Sequence, residues 1–166
     1  MKYFISFFLV LSLASCKKPD EYPIIPAISY VNYFTTQNAQ GLDASLSIVL
    51  DFTDGDGDIG YKDVGQNGPP FDTNGSEYYN NYKGSFYKYT AGTWTLIPTG
   101  TLLQGRLPYL TPDSKNKSLK GQIQCDFLLL GLVANMDTFR MEVFIYDRGL
   151  HKSNIITTPS FTLRTQ

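Results

Sequence analysis

Apolar and polar residues alternate with a period of two along much of this chain. In Leu46-Ser47-Ile48-Val49-Leu50-Asp51-Phe52, the side chains of Leu46, Ile48, Leu50 and Phe52 fall on one face of an extended strand. The same pattern predicts an earlier strand over residues 28–36. It also predicts strands over 83–90 and 93–97, on either side of an Ala91-Gly92 turn. Residues 104–110 read as an edge strand, because Pro108 has no N–H to give to a ladder. Longer strands are predicted over 119–130 and 138–147, and a last one over about 154–164. Residues 61–82 break the alternation with Gly, Asn and Pro, which predicts a long loop after the second strand. No long segment carries a helical period.

About seven strands separated by turn signals predict an all-β chain, arranged as a single sandwich of immunoglobulin or fibronectin type III style over residues 28–166. The segment before it reads differently. Lys2 is followed by an uncharged, mostly apolar run over residues 3–15, shorter than the ~20 residues a membrane-spanning helix needs. It fits a signal peptide over residues 1–15. The tetrapeptide Leu13-Ala14-Ser15-Cys16 resembles a bacterial lipobox. That resemblance implies cleavage before Cys16, acylation of Cys16 with palmitate-type chains, and attachment to a membrane through the lipid. Pro19, Pro23 and Pro26 then predict an extended tether over residues 16–27. Its Lys17-Lys18 and Asp20-Glu21 pairs resemble the surface-export signal of Bacteroidota lipoproteins, or form a solvated linker. The implied location is the outer membrane, on either its surface or its periplasmic face.

Composition narrows the function classes. The chain has 166 residues and a formal charge of -1, so no basic excess points to nucleic acid. Charged residues make up 17%, below the usual ~25%, while 12 Tyr and 11 Phe enrich the aromatics, as expected of an exported β protein. With Cys16 assigned to lipid, Cys125 is left unpaired. Its alternation with Ile123 and Phe127 places it on a buried face.

The most specific polar feature is Asp54-Gly55-Asp56-Gly57-Asp58, directly after the second strand. Ca²⁺ takes 6–8 oxygen ligands, and glycines let a backbone curl tightly enough to supply them. An EF-hand is excluded: its sixth position would be Ile59 and its twelfth Gly65. In a sandwich, the loop after the second strand shares a pole with the loop that begins Tyr146-Asp147. Asp147 is therefore an expected further ligand of a structural Ca²⁺, and Asp63 another. The alternative is a solvated acidic turn. Zn²⁺ is not expected from one His and one buried Cys.

Phe52-Thr53-Asp54-Gly55-Asp56-Gly57-Asp58-Ile59-Gly60, with Asp147-Arg148 and Ser153-Asn154 near the end, resembles a group of Bacteroidota lipoproteins. The resemblance covers residues 28–60 and 105–166. It implies a lipid-anchored β-sandwich and no particular activity.

Catalytic motifs are missing from the sequence. His151 is the only histidine, and no nucleophile elbow, phosphate loop or zinc-protease motif occurs. A small hydrolase built on paired carboxylates is therefore disfavoured, and a non-catalytic binding or scaffolding module is expected. Aromatics crowd residues 78–94, and Tyr78, Tyr79, Tyr82 and Trp94 are the candidate contact residues. The partner is either an outer-membrane protein or, in a carbohydrate-binding lipoprotein of a glycan-uptake system, a glycan. Aromatics set in one plane would suit a glycan, whereas a contiguous apolar patch would suit a protein.

Overall fold

Strand β2 (Asp43–Asp54) lies between β1 (Ala27–Gln37) and β6 (Leu119–Leu128) in an antiparallel sheet. The second sheet has the order β4 (Thr93–Ile97), β3 (Tyr82–Thr90), β7 (Thr138–Ile145), β8 (Ile156–Thr157). Two short strands extend it: β5 (Gln104–Gly105) pairs with β3, and β9 (Phe161–Thr162) pairs with β7. These elements come from a computed structural model that describes residues 21–98, 103–111, 115, 117–129 and 138–164. The signal peptide, Cys16 and the first part of the tether lie outside the described residues. The chain crosses to the second sheet after β2, returns with β6 beside β2, and crosses again with β7 beside β3. That is the Greek-key arrangement of an immunoglobulin-like sandwich.

Alternation decides what fills the space between the sheets. Leu46, Ile48, Leu50 and Phe52 point inward from β2, and Ile123, Cys125 and Phe127 from β6. Phe139, Met141, Val143 and Ile145 meet them from β7. Phe86 from β3 stacks on Phe139 with ring centroids 5.0 Å apart. Cys125 is a free, buried thiol in this core.

Two strands are shorter than the periodicity predicts, each because of a proline. The 104–110 segment pairs only at Gln104–Gly105, and Pro108 then makes a single parallel bridge to Tyr61. The last segment is split into β8 and β9 around Pro159, which has no N–H for the ladder.

The described end of the tether packs on the domain. Pro26 is buried, the Tyr22 amide donates to Ser118 Oγ at 3.2 Å, and the Tyr22-Pro23 backbone lies directly over Gly55. A Cβ at residue 55 would collide with the Tyr22 carbonyl.

The long loop between β2 and β3 is held by a single arginine. Arg106 donates to the Phe71 and Tyr79 carbonyls at 2.8 and 2.7 Å and pairs with Asp72 at 3.2 Å. Its guanidinium lies 4.7 Å from the Tyr61 ring centroid and 5.3 Å from that of Tyr79. Asp72 in turn accepts from the amides of Asn67 and Gly68. Although partial burial acts against it, these amides hold the Asp72 carboxyl down at about 2.

Candidate functional site

Asp54 ends β2 on the same inward parity as Leu46 and Phe52, so strand geometry carries its carboxylate beneath the surface, where it is 0% exposed. The chain then curls back on itself, with Gly57 at φ 68° and Gly60 at φ 84°. This curl lets the Asp58 amide donate to Asp54 Oδ2 at 2.9 Å. Side-chain oxygens of Asp54, Asp56 and Asp58 thereby lie within 4.8 Å of one another. Asp54 is buried, Asp58 half-buried and Asp56 exposed, so the cluster opens toward solvent at Asp56.

The cluster carries unpaired negative charge. Asp54 Oδ1 and Asp58 Oδ1 are both buried without a hydrogen-bond partner. Burial, reinforced by Asp58, Asp56 and Asp147 and opposed by the Asp58 amide, pushes the Asp54 carboxyl up to about 6. Asp58 is raised as well, by burial and then by Asp147 and Asp56, with Arg148 opposing. Three converging carboxylates with two orphaned buried oxygens form a site able to hold a metal ion.

The second predicted segment reaches the same pole. Ile59 and Asp147 form an antiparallel bridge, and the Arg148 amide donates to the Asp58 carbonyl at 3.2 Å. The Arg148 guanidinium donates to the carbonyls of Ile59 and Gly60 and to Thr111 Oγ1. Asp147, however, turns its oxygens elsewhere. Oδ1 accepts the His151 amide at 2.7 Å, and Oδ2 lies 2.9 Å from His151 Nδ1. Burial raises the Asp147 carboxyl while the His151 contacts hold it back, and the same contact raises the His151 pKa. Asp147 thus adds negative potential to the cluster without converging on it.

Asp63 does not join the cluster. It is exposed, and its carboxylate faces Gln66 Nε2 at 3.4 Å. The reason is the turn at Gly60, which packs against the Pro108 backbone and sends the chain off along Pro108 through Tyr61.

The four aromatic candidates fall into three different environments. Tyr82 belongs to the core: it is 8% exposed, donates to the Asp126 carbonyl at 2.9 Å and meets Phe127 edge-on. As an inward residue of β3 it is not available to a ligand, which corrects that expectation. Tyr78 is half-buried, edge-on to Tyr146 with centroids 5.0 Å apart. Tyr79 is half-buried against Arg106.

Trp94 lies on the outer face of the second sheet, opposite Tyr89, with the two rings 5.0 Å apart and tilted by 50°. Leu96 shares this face and is 52% exposed, beside Tyr89 at 45%. Arg140 completes it, 4.6 Å from the Trp94 centroid and 5.4 Å from that of Tyr87. Sequence reasoning missed Leu96 and Arg140, although alternation from Trp94 marks Leu96 as its same-face neighbour.

The outer face of the first sheet is mixed: Phe34 and Leu128 are exposed on it among polar side chains. There Ser47 donates to Asp126 at 2.6 Å, and Gln122 to Asp51 at 2.9 Å. The chain matches no protein-family model and no curated protein.

Proposed function

We propose that this chain is a non-catalytic, lipid-anchored binding module of the outer membrane, organised at one pole by Ca²⁺ and docking on a membrane-protein partner. The observation that carries the docking is the aromatic cluster on the outer face of the second sheet. That face presents Tyr89, Trp94 and Leu96 side by side next to Arg140, whereas the exposed Phe34 and Leu128 of the first sheet lie on different strands with Ser45 and Ser47 between them. Rings tilted by 50° do not make a flat stacking platform. Together with the exposed Leu96 they form an apolar patch edged by a cation, the composition of a protein contact surface.

The cation at the pole is argued from its donors. All three ligand groups are carboxylates, with neither nitrogen nor sulfur among them, which favours a hard ion. Glycine on both sides of Asp56 suits the flexible, high-coordination geometry of Ca²⁺ better than the rigid octahedron of Mg²⁺. The lipid anchor is supported by Lys2, the short apolar run and Leu13-Ala14-Ser15-Cys16. The non-catalytic reading rests on the sequence, in which His151 is the only histidine and no catalytic motif occurs. The His151 ring pairs with Asp147.

The experiment is site-specific photo-crosslinking from residue 96 in native membranes. A discrete adduct with one membrane protein, reduced by Trp94→Ala, is the expected result. Adducts no different from those formed at Gln122, beside Asp51 on the first sheet, would overturn the docking. Incorporation of a fatty-acid probe that survives Cys16→Ala would overturn the anchor.

A further inference from the structure

Where the long loop rejoins β3, residues 74–77, 79 and 80 line an open cavity of about 500 Å³ against Lys83 and Gln104. This lies within the size range of small-molecule sites. Its walls combine three kinds of group. Asn74, Asn80 and Gln104 supply three side-chain amides, and among the described residues none of the three has a hydrogen-bond partner. Tyr79 supplies an aromatic ring. Glu77 and Lys83 supply one charge of each sign, in electrostatic range of one another but not paired within 4.0 Å.

The walls are held in place from behind. Arg106 packs on the Tyr79 ring and binds the Tyr79 carbonyl at 2.7 Å. Tyr146, which is buried, donates its hydroxyl to Glu77 Oε1. The Lys83 ammonium lies 5.6 Å from the Tyr146 ring centroid, and partial burial lowers its pKa against the opposing pull of Glu77. Little freedom is therefore lost at Tyr79 and Glu77 when a ligand enters.

We propose that this cavity binds a neutral saccharide unit. The chemistry of the walls selects it. An amide both donates and accepts, as a sugar hydroxyl does, so three amides match a run of neighbouring hydroxyls. The Tyr79 ring offers an apolar surface to the C–H face of a pyranose, with a polar handle at its edge. Glu77 and Lys83 offset each other, so the cavity has no excess cation for a phosphate or uronate and no excess carboxylate for an amine. The site is separate from the Trp94 patch, so it stands or falls independently of protein docking there.

The test uses the full chain, detergent-solubilised, on an array of neutral and acidic oligosaccharides. Binding to one class of neutral glycan is expected. Combining Asn74→Ala with Gln104→Ala should weaken it by about tenfold or more, the effect of two lost hydrogen bonds. The single Asn74→Ala variant, at an exposed position, serves as a check should the double variant fold poorly. Trp94→Ala should leave glycan binding unchanged. Absence of binding to any neutral glycan, a preference for acidic glycans, or binding untouched by Asn74→Ala but lost in Trp94→Ala would each overturn the proposal.

Discussion

Ile59 and Asp147 form an antiparallel backbone bridge that stitches the acidic loop after β2 to the end of β7. It places the buried Asp147 carboxylate within electrostatic range of Asp54, Asp56 and Asp58, while His151 occupies both of its oxygens. Folding therefore concentrates four carboxylates at one pole, where a cation relieves their repulsion.

Ca²⁺, the proposed ion, should bind this pole only when the chain is folded and so raise thermal stability. At a hundred times its Kd the gain is ~2.7 kcal/mol, a shift on the order of 10 °C for a domain of this size. Asp56→Ala removes an exposed ligand without opening the core and should abolish most of the shift. Differential scanning fluorimetry with Ca²⁺, Mg²⁺ and chelator measures it. Equal melting temperatures across that series would leave a solvated acidic turn.

The metal-free protein should lose stability as pH rises. Folding lifts the Asp54 carboxyl from about 4 to about 6, so the folded chain holds this proton more tightly than the unfolded one. The favourable contribution is complete below pH 4 and is lost as pH climbs through 6, a change of up to ~3 kcal/mol. Ca²⁺ should bind the ionised form, with an affinity that rises over the same window. Urea midpoints at pH 4.5, 5.5 and 7 test this, and Asp54→Asn should flatten the metal-free slope.

Two glycines with similar backbone angles should respond differently to alanine. Gly60 has φ 84°, and a Cβ there would overlap the Pro108 carbonyl. Gly65 has φ 89° with open space around it. Gly65→Ala should therefore cost about 1 kcal/mol from backbone strain alone. Gly60→Ala must also displace a packed backbone, and more than ~3 kcal/mol is expected by chemical denaturation.

Arg106→Ala should release the long loop. It strands the Phe71 and Tyr79 carbonyls and leaves Asp72 without its cation, at a cost of about 2–4 kcal/mol. Limited proteolysis should then cut within residues 62–80 before the sandwich unfolds. Arg106→Lys should rescue little, because an ammonium cannot donate along three fixed directions while stacking on Tyr61 and Tyr79.

Cys125 should be inert in the native protein. Burial pushes its thiol up to about 12, so little thiolate forms at neutral pH. Alkylation by iodoacetamide should appear only with unfolding, at the rate of global opening. Rapid labelling in native buffer would contradict its place in the core.

Alternation is a local property, and it made much of the sandwich legible. The inward faces of β2, β6 and β7, the β3–β4 turn and the core position of Cys125 follow from a period of two and from turn residues. The burial of Asp54, expected in the loop after Phe52, came to light only because the strand runs on to it with the parity of Leu46 and Phe52. The shared pole of Asp54 and Asp147, by contrast, follows from strand order. The direction in which a side chain turns at that pole depends on contacts between segments far apart in the chain, and spacing carries no record of these. Only the tertiary structure decided that His151 takes both oxygens of Asp147, and that Pro108 steers Asp63 away from the cluster. It alone clamps the long loop onto Arg106 and sinks Tyr82 against Phe127 while leaving Trp94 outside. The strands were written in the hydrophobic pattern, whereas these polar partners were selected when folding brought their desolvated groups together.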